Sequence, residues 1–154
     1  MSVIRFLPVT PEHIQHVAAN MRQADVDEVK AFGREPLESL TTGVRLSDLS
    51  MCLEIDGDIC CILGLVKVSM VNSIGVPWML GTHAIMDHKR EFMKQSQIVL
   101  QHVLAESNEL YNYVHDQNRV SIRWLKWLGF TIEEPQPSGI NGELFHKFRM
   151  IKHV

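Results

Sequence analysis

The sequence lacks several features that would place it directly in a functional class. No apolar run approaches the ~20 residues that a membrane-spanning helix needs. The opening stretch MSVIRFLPVT has no signal-peptide pattern, and linkers, internal repeats and low-complexity segments are absent. We therefore expect a single domain over residues 1–154, long enough to bury a core without disulfide bonds.

An excess of positive charge is also missing. The chain has 15 Lys and Arg residues against 18 Asp and Glu residues, which gives a formal net charge of −3. The basic residues are scattered along the sequence, whereas nucleic-acid-binding domains concentrate them on one face. We therefore expect no nucleic-acid partner. The 45% hydrophobic and 21% charged content is that of an ordinary globular protein.

Cysteine is scarce, and its spacing argues against a metal or redox site. The three cysteines are Cys52, Cys60 and Cys61, with no Cys-x-x-Cys pair among them. The histidines show no paired spacing with these cysteines either. An odd number of cysteines in an apolar hairpin is typical of reduced thiols in a cytosol-like compartment. The sequence therefore predicts no bound metal.

Turn and cap residues mark the elements of the first half of the chain. After a short first strand, Thr10 and Pro11 have the residue types of a helix cap and first helical position. A second short helix is predicted from Asp25 to Phe32, and a third follows it. In MCLEIDGDICCILGLVKV, the Asp56-Gly57 pair suits a tight turn between two apolar strands, because glycine accepts positive φ.

The second half alternates between strands and helices. The strand VPWMLGTHAI precedes a helix from Arg90 to Glu106, the strand ELYNYVH follows, and a helix from Val120 to Leu128 ends at Gly129. FTIEE and ELFHKFRMI form the last hairpin. Strands joined by a crossover helix are parallel. The pattern predicts an α/β fold with a mixed, mostly antiparallel sheet of six to seven strands and helices on both faces.

Three segments in this order resemble the GNAT superfamily of acyl-CoA-dependent N-acyltransferases. IRFLPVTPEHIQHVAANM is similar to the first strand and helix of that family, and LEIDGDICCILGL is similar to its central hairpin. NRVSIRWLKWLGF, from Asn118 to Phe130, is similar to its N-x-x-A-x-x-x-Y-x-x-x-G-F segment. The resemblance covers most of the chain and implies a GNAT-like fold with acetyl-CoA or coenzyme A as the cofactor.

A narrower resemblance covers the C-terminal third. LYNYVHDQNRVSIRWLKWLGF, followed by an acidic pair and GELFHKF, resembles the internal virion protein A family of short-tailed coliphages. Members of that family are GNAT-like in outline and are associated with virion assembly. This resemblance implies virion proteins or other phage or host proteins as partners, and a location in the host cytoplasm or the virion. It leaves a homo-oligomer open.

The predicted cofactor loop departs from the superfamily pattern. GNAT enzymes hold the pyrophosphate with a Q/R-x-x-G-x-G/A loop, whose small residues let it approach main-chain N–H groups at a helix start. In HKREFMKQSQ, Arg90 matches the first position, but Met93 and Gln95 stand where the glycines belong. Lys89, Arg90 and Lys94 remain as candidate contacts to the cofactor, or as solvated residues at a helix start.

The general acid is substituted as well. In the superfamily, a tyrosine seven positions after the asparagine commonly protonates the leaving thiolate, and here that position is Leu125. Loss of such a group typically costs ~10²–10⁴ in rate. Tyr113 is a candidate substitute, and so is Tyr111, although half-buried packing residues with hydroxyls in water are the simpler interpretation of both. Asn118 matches the turn position that contacts the cofactor arm, or it is a helix cap.

Two histidines are candidates for the general base. His83 ends the fourth strand and His115 ends the fifth, near the point where the two parallel strands of a GNAT fold separate. Histidine titrates near neutral pH, so either side chain could deprotonate an amine. Asp87 and Glu91 are further candidates, although acids at a helix start commonly interact with the helix dipole.

The tryptophans suggest an exposed surface on the last helix. Trp124 and Trp127 are three residues apart and therefore share a helical face. If Ile122, Leu125 and Leu128 face the sheet, at least one of the two indoles is exposed. An exposed indole favours a protein partner, while core packing is the simpler alternative.

Two hypotheses follow from these patterns. The first is a phage or prophage GNAT-fold protein used in virion assembly or another protein contact, with a weakened or absent catalytic site. The second is an active acetyl-CoA-dependent N-acetyltransferase with an unusual grip on the phosphates. The absent glycines and Leu125 favour the first hypothesis, although a fold does not fix a function.

Overall fold

Eight strands and six helices make up the part of the chain, residues 1–152, that the computed structural model describes. The strands are β1 Ile4–Leu7, β2 Leu49–Ile55, β3 Asp58–Ser69, β4 Ile74–Gly81, β5 Glu109–His115, β6 Thr131–Ile132, β7 Gln136–Ser138 and β8 Glu143–Ile151. The helices are α1 Pro11–Ala19, α2 Gln23–Ala31, α3 Pro36–Leu46, α4 Ala84–Asp87, α5 Lys89–Glu106 and α6 Arg119–Leu128.

The strands form one mixed sheet in the order β1-β2-β3-β4-β5-β8-β6, with β7 also paired to β8. Every pairing is antiparallel except β4 with β5. The predicted mixed, mostly antiparallel sheet is confirmed. It has eight strands rather than six to seven because the segment after α6 forms two short strands, β6 and β7, at different positions along β8.

Local cap and turn residues explain several element boundaries. Thr10 caps α1 by accepting a hydrogen bond from the N–H of His13, and the His13 side chain accepts one from the N–H of Thr10 in return. Gly129 ends α6 in a left-handed conformation with φ of 107°. The predicted tight turn between β2 and β3 is present, with positive φ at both Asp56 and Gly57.

Helices cover the sheet on both faces. Helices α1, α2 and α3 pack on one face, against a core that includes Val17, Leu40, Cys52 and Ile62. Helices α4, α5 and α6 pack on the other face, over two further apolar clusters that they share with the strands. All three cysteines are free and buried, and no helix within residues 1–152 is long and apolar enough to cross a membrane.

Candidate functional site

A split between β4 and β5 is the main irregularity of the sheet. These parallel strands pair only at Ile74 with Glu109 and at Gly75 with Leu110. Beyond these two pairs the strands form no further β-sheet pairing with each other. Pro77 on β4 has no N–H, and the side chain of Asn112 on β5 donates a hydrogen bond of 2.7 Å to the Pro77 carbonyl. Where the split begins, the Asn112 side chain therefore donates to the Pro77 carbonyl in place of a main-chain N–H of β5.

A cavity of about 1060 Å³ extends around this split. Its volume is comparable with the upper end of the roughly 300–1,000 Å³ of ligand pockets. Trp78, Met79 and Leu80 from β4 contribute to a lining that is mostly apolar. The polar residues in the lining include Glu28 and Asn118, from helices on opposite faces of the sheet. Such a cavity fits an apolar ligand with a few polar groups.

Helix α2 occupies the polar groups at the end of β4. The carboxylate of Asp25 accepts a hydrogen bond of 2.8 Å from the N–H of Gly81, and the N–H of Arg22 donates to the Gly81 carbonyl at 2.9 Å. Asp25 is only 4% exposed. Burial raises the pKa of Asp25, while the Arg22 guanidinium, 3.5 Å away, and the Gly81 N–H act in the opposite direction.

The same helix also binds the end of β5. Glu28 lies three residues after Asp25, and its Oε1 accepts hydrogen bonds from the N–H of His115 at 3.0 Å and from Nδ2 of Asn118 at 2.9 Å. Burial raises the pKa of Glu28, although these two hydrogen bonds favour the ionised form. Two carboxylates of α2 therefore hold the ends of both separated strands.

A carboxylate lies in the first turn of α5, near the corner between β4 and this helix. Glu91 accepts a hydrogen bond of 3.0 Å from Ser2 Oγ. Its own main-chain N–H and the Ser2 hydroxyl lower the pKa of Glu91. Asp58 pairs with His88 Nε2 at 2.8 Å beside the same corner. The helix dipole at this end of α5 is therefore already matched by a protein carboxylate.

Bulky side chains lie at the positions that the sequence resemblance matches to the superfamily's glycines. Met93 and Gln95 are half-buried on the first turns of α5, and Gln95 lines the cavity. Phe92 packs against Trp124 of α6 with ring centroids 5.6 Å apart. Trp124 Nε1 also donates a hydrogen bond of 3.2 Å to Ser96 Oγ. These contacts join α5 to α6 at the side of the split.

The structure separates the predicted cofactor contacts. Lys89, Arg90 and Lys94 are exposed, and none of the three lines the cavity. Asn118 is buried, lines the cavity and caps α6 by accepting a hydrogen bond of 3.3 Å from the N–H of Ser121. Both alternatives for Asn118, cap and site residue, are therefore compatible with its position.

The predicted catalytic residues also do not form one cluster. The prediction that His83 ends the fourth strand is wrong, because β4 ends at Gly81 and His83 precedes α4 with helical dihedral angles. His83 is exposed and lies outside the cavity lining. Both ring nitrogens of His115 have partners: Nε2 lies 2.8 Å from Glu143 Oε1, and Nδ1 accepts from the N–H of Gln117 at 3.0 Å. Tyr113 is 44% exposed and lines the cavity. Of these candidates, only Tyr113 places its side chain at the cavity.

The position that the sequence resemblance matches to the superfamily's general acid holds an apolar residue. Leu125 is 5% exposed, belongs to the core and lines the cavity. Tyr111 lies under the Lys147 ammonium, 4.9 Å from the ring centroid, and is absent from the lining. Within residues 1–152, no group of three or more His, Cys, Asp or Glu side chains is arranged to hold a metal ion.

Asp25 and Glu28, which bind the ends of the separated strands, were not among the predicted site residues. The segment QADVDEVKA does indicate two acids on one helical face, because Asp25 and Glu28 are at i and i+3 beside the buried Val29. Acids on the inner face of a short helix need partners. Their partners are main-chain groups of distant strands, which the local sequence does not indicate.

Comparisons with known proteins support the fold. No protein-family model and no curated protein sequence matches the chain. Among solved structures, a GNAT-family acetyltransferase from Bacillus anthracis is 9% identical, with 96% of this chain and 94% of that chain covered and a TM-score of 0.71. The protein yncA from Salmonella typhimurium, solved with its cofactor acetyl-CoA, is 12% identical, with coverages of 100% and 96% and a TM-score of 0.62.

A third structure has coenzyme A bound. RimL, a ribosomal alpha-N-protein acetyltransferase in complex with coenzyme A, is 9% identical, with coverages of 96% and 93% and a TM-score of 0.68. At these identities the similarity concerns the fold alone. The chain therefore has a GNAT-like α/β fold, with a mostly antiparallel eight-stranded sheet like those of acetyltransferases.

Proposed function

We propose that this chain is a GNAT-fold protein of a phage or prophage that acts through protein contacts in virion assembly, with a degenerate acyl-CoA site. The assembly role is supported by the likeness of the C-terminal third to the internal virion protein A family. Its location would be the host cytoplasm and the assembling particle. The loss of the acyl-CoA site is supported by one main observation: α2 carboxylates occupy the ends of both separated strands.

The residues at the split do not fit coenzyme A. The main-chain N–H groups of Gly81 and His115 are already bound to Asp25 and Glu28. A diphosphate brought near these groups would meet one buried carboxylate, Asp25, and one half-buried carboxylate, Glu28. Like charges in a poorly solvated site repel strongly. A cofactor arm would have to displace one or both of them.

The strand-to-helix corner adds a second obstacle. The Glu91 carboxylate lies in the first turn of α5, at the helix start to which a pyrophosphate would bind. Met93 and Gln95 supply side-chain bulk where the enzymes have small residues. Leu125, in addition, cannot protonate a leaving thiolate. The carboxylate of Glu91 acts against phosphate binding, the bulk of Met93 and Gln95 acts against close approach, and Leu125 acts against proton transfer.

Isothermal titration with acetyl-CoA tests the loss of the cofactor site. We expect no saturable heat from the wild-type protein even at millimolar cofactor, and micromolar binding would contradict the proposal. The double variant Asp25→Asn, Glu28→Gln keeps the side-chain shapes and removes both charges. Weak binding by this variant alone would identify the carboxylates as the obstacle. Asp27→Asn, an exposed position on the same helix, is the matched control.

The assembly role needs a separate test. Mass spectrometry of particles purified from the phage or induced prophage that encodes the chain should detect it in virions or in assembly intermediates. Its absence from both would contradict this part of the proposal, whatever the titration with acetyl-CoA shows.

The second candidate function is an acetyl-CoA-dependent N-acetyltransferase. The split strands and the large cavity favour it, and two of the similar structures contain coenzyme A or acetyl-CoA. Acyl transfer would break the thioester C–S bond, form an amide with the acceptor amine and release a thiol. A thiol-release assay with a panel of amines detects this reaction. Turnover that depends on the amine would establish this function and contradict the degenerate acyl-CoA site of the first one.

A further inference from the structure

The outer face of α6 is an exposed surface of unusual composition. Five of its ten residues are exposed: Arg119, Val120, Arg123, Lys126 and Trp127. Val120 is 53% exposed and Trp127 is 48% exposed. The expectation that at least one indole of this helix is exposed is therefore confirmed. This α6 outer face combines three cations with two apolar side chains.

Helical geometry explains why these residues point outward. Ile122, Leu125 and Leu128 pack into the core beneath α6, and Trp124 packs toward Phe92 of α5. Because the core takes these positions, the remaining side chains of the helix face solvent. The α6 outer face is therefore fixed by a well-packed inner face, and its substitution should leave the fold intact.

The cations of the α6 outer face have no carboxylate partners within residues 1–152. None of the seven ion pairs found there includes Arg119, Arg123 or Lys126, and α6 itself contains no acidic residue. The nearby carboxylates of Asp116 and Glu133 are engaged elsewhere on the sheet, with histidine and arginine partners. The positive charge of this face is therefore locally uncompensated.

This composition matches the centre of a protein interface. Tryptophan and arginine are enriched among the residues that contribute most binding free energy between proteins. The cations require an acidic partner, and Trp127 and Val120 require an apolar group on it. A nucleic acid would extend beyond the helix over a protein whose net charge is −3, which disfavours a phosphate backbone.

We propose that the α6 outer face is a docking surface for an acidic, partly apolar segment of a partner protein. This inference rests on the proposed function, because it supplies the contact surface that an assembly role needs. Arg119, Arg123 and Lys126 pair with carboxylates of the partner, and Trp127 covers an apolar side chain between them. The cavity and the strand ends at the split take no part in this contact.

Fluorescence anisotropy with a fluorescein-labelled peptide of alternating Glu and Leu tests the surface. We expect saturable binding that weakens with added salt, and that falls at least about tenfold in Arg123→Glu and about fivefold in Trp127→Ala. Arg45→Glu makes the same charge change at an exposed position of α3 on the opposite face, and should bind the peptide like the wild type. Circular dichroism checks that each variant is folded.

Four outcomes would overturn the inference. Three concern the peptide: no saturable binding, equal losses in Arg123→Glu and Arg45→Glu, or binding that survives in both α6 variants. The fourth is tight binding of a DNA duplex that disappears in the same α6 variants, because it would assign the surface to nucleic acid. These variants leave the split untouched, so failure here is separable from acetyl-CoA binding, which would contradict the proposed function itself.

Discussion

Glu28 on α2 and Asn118 at the start of α6 are joined by a hydrogen bond of 2.9 Å, although their helices lie on opposite faces of the sheet. The same Glu28 oxygen accepts the N–H of His115 at the end of β5. This bond connects the two helical layers at the open end of the split. Contacts at this point hold the two strand ends in place and also occupy their polar groups.

Removing the Glu28 carboxylate should destabilise the protein. Glu28→Ala leaves the His115 N–H and the Asn118 amide without an acceptor, and we expect the free energy of unfolding to fall by about 2 kcal/mol. Glu28→Gln retains an accepting oxygen and should lose less than about 1 kcal/mol. Urea denaturation measures both values. Asp27→Ala, at an exposed position of α2, should stay within about 0.5 kcal/mol of the wild type.

The contribution of Glu28 should depend on pH in a defined direction. Burial raises the pKa of Glu28 above its ordinary value of 4.5, so the folded state keeps its proton to a higher pH than the unfolded chain. The resulting stability is fully present below pH 4.5 and is lost as pH rises through the raised pKa. Wild type should therefore lose stability relative to Glu28→Gln between acidic and neutral pH. If the stability of wild type relative to Glu28→Gln stays constant or increases as pH rises, the raised pKa is contradicted.

Gly139 should tolerate no side chain. It has a φ of 77°, and an added Cβ would lie 2.3 Å from the carbonyl oxygen of Ala31 at the end of α2. Gly139→Ala should therefore cost about 3 kcal/mol or more, from backbone strain together with a clash against main chain. Gly57→Ala is the control, because φ there is 85° but no atom lies within 4 Å. Its cost should be only about 1 kcal/mol, and equal costs at both sites would contradict the contact.

The cysteines should be unreactive in the folded protein. Burial raises the pKa of Cys52 and of Cys60 to about 11, and burial also raises the pKa of the fully buried Cys61. The thiolate is the reactive form, so Ellman's reagent should label none of the three in native protein. All three should react in urea. Rapid labelling of one native cysteine would show that its strand opens locally.

Much of the fold could be predicted because its signals are local. The cap at Thr10, the turn at Asp56 and Gly57, and the helix end at Gly129 each act within a few residues. Helix α4 was not predicted, since four residues are too few to show a helical period. Strand β7 was missed for a similar reason: it is three residues long and depends on its pairing with β8.

The candidate site was less predictable than the fold. The substitutions at Met93, Gln95 and Leu125 could be recognised from the sequence, because each falls in a motif with fixed spacing. The roles of the Asp25 and Glu28 carboxylates could not be predicted, because their hydrogen-bond partners are 56 and 87 residues away along the chain. Such contacts depend on the three-dimensional positions of the ends of β4 and β5, and the sequence of α2 does not indicate those positions.

The short pairing between β4 and β5 has a consequence for how the molecule opens. Only two residue pairs cross this seam. On its two sides lie a half containing β1 to β4 and a half containing β5 to β8, and within each half every pairing is antiparallel. Thermal fluctuations should concentrate at the seam, so that each half keeps its own amide protection while the boundary exchanges first. The two halves of the sheet would then move relative to each other about the short β4–β5 pairing. The contacts of α2 with the ends of both strands would limit this motion.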